Sequence, residues 1–176
     1  MALLAAGSLT NVYASLDRYI QEKLIDGAGL SVKTHGTRRF VPPADAPWVE
    51  VMYNFLCLTQ QHVRQMYSRV PLQPMDVYGT ARSGHIQCNV FQRARQFTTR
   101  YVTALARDIV VGAFPEGGLI QIFDYSDALP DTEPNGVGVI IMDGLTETVT
   151  DVGMESGITQ HTIMIQTRYL EHFTRS

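Results

Sequence analysis

Apolar residues recur at helical spacing over 8–24, where Leu9, Val12, Leu16, Tyr19, Ile20 and Leu24 fall on one stripe. Ser8 supplies an N-cap, and Asp26-Gly27 with Gly29 supplies a stop, so an amphipathic helix is predicted there. A short extended piece is predicted at 30–34. Pro42, Pro43 and Pro47 then exclude both helix and central strand from 40–47. From Trp48 the period changes. Val49, Val51, Tyr53, Phe55 and Cys57 alternate with Glu50 and Asn54, which predicts a strand over 48–58. Residues 59–79 carry Pro71 and Pro74 and lack a clean period, so they read as a long hairpin or loop excursion. Ser83-Gly84 restarts extended structure, and Ile86, Cys88 and Val90 face one way over 85–91.

A second helix is predicted within 92–113, with Phe97, Tyr101, Ala104, Leu105 and Ile109 as its apolar stripe and Phe114-Pro115 and Gly117-Gly118 as its end. Strands are predicted at 119–125, 137–142 and 158–169, with a more polar one at 145–152. Asn135-Gly136 and Asp143-Gly144 read as turns. The order predicts an α+β fold: a single domain over 1–176, with a mostly antiparallel sheet flanked by two main helices.

At 176 residues the chain fits one domain, and at this size roughly 70% of the unfolded surface can be buried without a disulfide or metal staple. Hydrophobic residues make up 45%, which excludes general disorder. Lys and Arg total 14 against 17 Asp and Glu, for a formal charge of -3, so there is no basic excess of the kind that neutralises nucleic-acid phosphates. Charged residues are only 18%, which hints at subunit contacts. Residues 1–6 lack a basic n-region and are too short for a signal peptide. No window reaches the ~20 apolar residues that cross a bilayer. These features predict a protein folded in a reducing cytoplasm, with Cys57 and Cys88 as small hydrophobes within strands.

Candidate chemistry is sparse. Cys57 with His62 and His85 with Cys88 number four zinc-type ligands, but an offset of three places His85 and Cys88 on opposite faces of a regular strand, and an offset of five does the same to Cys57 and His62 unless the strand ends between them. No Gly-x-Ser-x-Gly occurs, and Ser83 precedes a strand rather than following one. Asp124, Asp127 and Asp131 cluster in what reads as ordinary loop composition. Gly136-Val137-Gly138 lacks the third glycine and the helix of a phosphate-binding loop. A ligand pocket, were there one, is expected near Asp124, Asp127 and His161. Arg93, Arg100 and Arg107 are spaced by seven, which places them along one side of the second helix. That side is either a solvated face or an edge meeting another subunit. Arg64 and Arg69 admit the same two readings, and Met66 and Tyr67 lend the excursion an apolar character suited to packing on something.

The opening helix, the run Pro42-Pro43-Ala44-Asp45-Ala46-Pro47-Trp48-Val49-Glu50-Val51, and the strand Ser83-Gly84-His85-Ile86-Gln87-Cys88-Asn89-Val90-Phe91 leading to a helix closed by Phe114-Pro115 together resemble the tail terminator family of tailed bacteriophages. The likeness spans roughly 9–169 and rests on element order and these soft motifs. It implies a structural virion protein at the tail and neck, assembled in the host cytoplasm as a ring, usually hexameric. The ring would cap the head-proximal end of the tail tube and join it to neck or head-completion proteins. It also implies no cofactor, no metal, no catalysis and no membrane, with DNA passing through the lumen without sequence-specific binding. Near-neutral or acidic walls suit such passage, because basic ones would hold the phosphates. On this resemblance, residues 59–79 are the hairpin facing tube or neck, with Arg64, Met66, Tyr67, Arg69, Arg93, Arg100 and Arg107 as candidate assembly or lumen contacts. The alternatives are another tail or neck subunit (a head-tail connector or tube protein) and a small α+β enzyme or ligand-binding domain.

Overall fold

The computed structural model describes residues 4–5, 9–34, 37, 39–55, 61–63, 77–93, 99–125, 134, 136–152 and 157–174. In chain order these form β1 (Leu4–Ala5), α1 (Leu9–Ile20) continued by a π-helical turn (Gln21–Asp26), β2 (Ser31–Lys33), β3 (Trp48–Asn54), β4 (Gln61–Val63), β5 (Val77–Arg93), α2 (Thr99–Ala113), β6 (Leu119–Phe123), β7 (Gly136–Val152) and β8 (Ile158–Thr174). The fold is α+β. One sheet runs β2-β3-β5-β8-β7-β6, with β4 beside the start of β5 and β1 beside the end of β8. Every described pairing is antiparallel except that of β2 with β3.

Alternation decides which face is buried. Val49, Val51 and Tyr53 of β3, Ile86, Cys88 and Val90 of β5, Ile163 and Ile165 of β8, and Ile120 and Ile122 of β6 all point to one side. Val12, Leu16, Ile20 and Leu24 of the first helix cover that side at 0% exposure each, as the helical stripe predicts. The neighbours of this stripe locate the helix. Asn11 and Ser15, on one flank, reach β6 and the residues after it. Tyr13 and Asp17, on the other flank, reach Tyr53 of β3. Because β3 and β6 stand four places apart in the sheet order, the sheet curls around α1, and the helix closes the gap between them.

Four expectations are corrected. First, the strand expected at 85–91 runs on to Arg93, paired with β8 to that point, while α2 at Thr99–Ala113 falls inside the predicted 92–113. Second, its buried stripe is Thr103, Ala106, Val110 and the following Phe114, with the expected Ile109 half-buried against the core and the side chains of Phe97 and Tyr101 outside the described residues. Ala104 and Leu105 face outward, and Leu105 is 51% exposed. Third, Asp143-Gly144 is a bulge and not a turn, so the two strands expected at 137–142 and 145–152 are one. The register passes from Met142↔Thr167 to Gly144↔Gln166, leaving Asp143 as the extra residue, its carboxylate 3.0 Å from Arg168 Nε of β8. Fourth, Ser83-Gly84 lies inside a 17-residue strand rather than at its start. The neighbouring β3 ends at Asn54, and 56–58 lie outside the described residues.

The legs of the expected hairpin are present, since Gln61–Val63 pairs with 79–81 of β5; the intervening 64–76 lie outside the described residues. After α2, Gly117 adopts the left-handed conformation (φ 74) that a side chain would strain. Its N–H donates to Met142 O at 2.8 Å, and Met142 N–H donates to Gly118 O, which ties the end of α2 to β7 beside β6.

Candidate assembly surface

The arginine row does not survive as a row. Arg93 stands exposed at the end of β5, opposite Ile158, and is not on the helix. Arg100 lies in the first turn of α2. Arg64, Met66, Tyr67 and Arg69 lie outside the described residues. Arg107 is the member whose contacts are defined, and it points back to its own sheet. Its Nε donates to Glu147 Oε2 of β7 at 2.8 Å, a second guanidinium nitrogen reaches Glu147 Oε1, and NH1 donates to Asp108 Oδ1 at 2.7 Å. This fork-to-fork pairing is the geometry arginine favours with carboxylates. His161 Nε2 of β8 lies 2.9 Å from Glu147 Oε2. The hydrogen bonds from Arg107 hold the Glu147 carboxyl below its ordinary range against the opposing effect of burial, and they raise the guanidinium. Three elements, α2, β7 and β8, are thereby strapped together at the surface.

Asp124 Oδ1 accepts from Asn11 Nδ2 at 3.1 Å, and His161 Nε2 lies 2.9 Å from Glu147 Oε2. Asp127 and Asp131 lie outside the described residues, as does Cys57. Cys88 is fully buried in the core, with its thiol pushed up to about 12 by desolvation, while His85 projects to the opposite face of β5. Among the described residues no group of three or more His, Cys, Asp or Glu could hold a metal ion. No described helix is long and apolar enough to cross a membrane.

A cleft of about 360 Å³ lies between α1 and β6, lined by Arg18, Tyr19, Lys23, Leu119 and Phe123 among others. Two of its charges engage each other. Arg18 Nε donates to Glu22 Oε1 at 2.8 Å, and its guanidinium lies 4.7 Å from the centroid of the Phe123 ring.

The sheet face away from the helices is polar around Asn89, whose cross-strand partner on β3 is Glu50, itself paired with Lys33 of β2 at 3.3 Å. Asn89 Oδ1 accepts from Gln87 Nε2 (3.0 Å), Gln160 Nε2 (3.2 Å) and Thr162 Oγ1 (2.9 Å), so amides and a hydroxyl cover a residue only 5% exposed.

The treatment of the sheet edges escaped the sequence reading. Along the end of β6, α1 supplies acceptors to the chain where, among the described residues, no strand does. Phe123 N–H donates to Ser15 Oγ at 2.9 Å, and Tyr125 N–H donates to Asn11 Oδ1 at 3.2 Å. Asn11 and Ser15 are buried, at 5% and 1% exposure. The available signal was two small polar residues at i and i+4 beside the apolar stripe, where a solvent-facing helix surface would carry longer charged side chains. α1 thereby covers the Phe123 end of that edge, while Leu119 and Gln121 at its start stay exposed.

No protein-family model and no curated protein sequence matches the chain. Among solved structures, one that carries no functional name covers 94% of this chain and 96% of its own, at 16% identity and a TM-score of 0.49.

Proposed function

We propose that the chain is a structural subunit of a bacteriophage tail: a tail terminator that assembles as a ring at the head-proximal end of the tail tube, stops tube polymerisation, and joins the tail to neck or head-completion proteins. It works by surface complementarity, without cofactor or chemistry, and DNA passes through the ring.

Strand length is the observation that carries a self-assembling role. β5, β7 and β8 are 17 residues each. At ~3.3 Å per residue such a strand spans about 56 Å, well beyond the usual 3–10 residues. A compact domain of this chain length has a radius of gyration near ~16 Å, hence a diameter of about 40 Å. The long strands therefore overrun the body that α1 and α2 cover, and a sheet that outreaches its own core suits a subunit whose neighbours complete the packing. The resemblance in element order and the low charge fraction support the same reading.

The deciding experiment mixes the purified chain with polymerising tail tube protein and images the product by negative stain. A terminator yields tubes of arrested length bearing a closed ring, with a central hole wide enough for duplex DNA, at one end. Tubes that lengthen as freely with the chain as without it overturn the reading. Long tubes built from the chain itself identify a tube protein instead.

A further inference from the structure

Asn11 and Ser15 supply the β6 edge in step: Tyr125 N–H meets Asn11 Oδ1, and Phe123 N–H meets Ser15 Oγ. Four helical residues advance about 6 Å and two strand residues about 6.6 Å. The helix row Asn11, Ser15, Tyr19, Lys23 therefore keeps pace with the strand row Tyr125, Phe123, Gln121, Leu119. The second halves of the two rows meet in the cleft of about 360 Å³, which Tyr19, Lys23, Leu119 and Gln121 all line.

There the supply stops. The Tyr19 hydroxyl donates to Ala113 O at the end of α2 instead. Lys23, in the π-helical turn, carries donors only, is exposed, and has no ion-pair partner among the described residues. Arg18 and Glu22, the other charges of the cleft, hold each other.

The backbone of β6 shows what is left open. Gly118 O faces β7, since it accepts from Met142 N–H, whereas Phe123 N–H faces away from β7 toward Ser15. Alternation therefore turns the N–H and C=O of Leu119 and Gln121 away from β7, toward the cleft they line. β6 ends the sheet order, and among the described residues no strand pairs with that side. Leu119 is 60% exposed and sets an apolar side chain beside these groups.

We infer that the cleft between α1 and β6 takes an extended acidic segment of a partner protein, which adds a short strand to β6 at Leu119 and Gln121 and sets a carboxylate on Lys23. An extended backbone is the occupant that offers donors and acceptors at the two-residue repeat of these outward groups. Its side chains alternate, one set beside Leu119 and the other beside Tyr19 and Lys23, so an apolar–acidic alternation fits. Charge selects the acidic member, because the one cleft charge without a partner among the described residues is a cation. This inference goes beyond the tail reading and stands or falls without tube arrest.

The test uses the full chain with a labelled, end-blocked hexapeptide of alternating valine and glutamate, and a valine–lysine hexapeptide as control. Fluorescence anisotropy should show saturable binding of the glutamate peptide, tighter than the lysine peptide by about tenfold or more. Hydrogen exchange should slow at the amides of Leu119 and Gln121 when the glutamate peptide is bound. Gln121→Pro removes an outward N–H that β7 does not use, at a sheet edge where proline is tolerated, and should weaken binding by about tenfold with far-UV circular dichroism unchanged. Lys23→Glu, at an exposed position, should invert the preference toward the lysine peptide. Binding of neither peptide, equal binding of both, protection confined to amides away from β6, or a glutamate preference that survives Lys23→Glu overturns the inference. If Gln121→Pro unfolds the chain, the inversion in Lys23→Glu decides alone.

Discussion

Gly84 sits in the middle of β5, paired with Thr167 of β8 and diagonal to the end of β3. A Cβ built on it would lie 2.5 Å from Asn54 O, 2.5 Å from Phe55 Cδ1 and 2.8 Å from Phe55 Cα. Ordinary carbon contacts fall at ~3.5–4.0 Å, so the overlap is about 1 Å, and two of the three atoms are backbone. The third belongs to a ring wedged between Tyr13 and Tyr169, at centroid distances of 5.9 and 5.6 Å, which has little freedom to turn. Overpacking of this kind costs about 1–3 kcal/mol. The loss of unfolded-state entropy on replacing glycine offsets about 0.4–1 kcal/mol of that. Gly84→Ala is therefore expected to lose about 1–2 kcal/mol. At ~2–4 °C per kcal/mol, Tm falls by about 2–8 °C.

Gly112 is the internal control. It lies exposed in α2 with a negative φ, and nothing stands within 4 Å of its built Cβ. Gly112→Ala should gain about 0.5–1 kcal/mol from helix propensity alone. Thermal and urea unfolding followed by circular dichroism, at a concentration where mass is constant, separates the two. A Gly84→Ala protein as stable as the wild type, or shifted in the same direction as Gly112→Ala, refutes the close-approach argument.

Ser15→Ala removes the acceptor for Phe123 N–H at a buried site and should cost about 1–3 kcal/mol in urea unfolding. A loss below ~0.3 kcal/mol would mean that water reaches the β6 edge. Glu147→Gln should cost no more than about 1 kcal/mol at pH 7, because its pair with Arg107 is at the surface. The sign follows from the lowered carboxyl: the folded state holds fewer protons, so the stabilisation is present above the ordinary value of 4.5 and fades as pH drops through the folded-state value. Stability curves of wild type and Glu147→Gln should draw together as pH falls below 4.5 and converge once it is under the lowered folded-state value; a gap that stays constant with pH would contradict this. In a Cys57→Ser background, Cys88, fully buried and raised to about 12, should resist iodoacetamide at pH 8 in the folded protein and react on denaturation; rapid native labelling would show that the core opens.

The sequence by itself determined the elements whose one face is buried by a single periodicity. The α1 stripe at Val12, Leu16, Ile20 and Leu24 and the alternations Val49-Val51-Tyr53 and Ile86-Cys88-Val90 repeat at 3.6 or 2 residues, and burial follows them. The α+β class follows from their order. Tertiary structure decided the rest, for three identifiable reasons. A local Asp-Gly signal cannot distinguish a turn from a bulge: β7 passes through Asp143-Gly144 unbroken because β8 runs continuously alongside it and offers pairing on both sides. A helix face cannot be assigned when apolar residues surround much of the circumference. Ala106 and Val110 take the core, while Leu105, equally apolar, stays outside. Spacing by seven has meaning only within one helix, and pairing with β8 places Arg93 in a strand, while Arg107 answers to Glu147, 40 residues away. The edges are the extreme case. Whether a strand's outer side is covered by a helix, as at Ser15, or has no paired strand among the described residues, as beyond Met142, depends on which element comes to rest beside it, and neighbours along the chain carry no record of that.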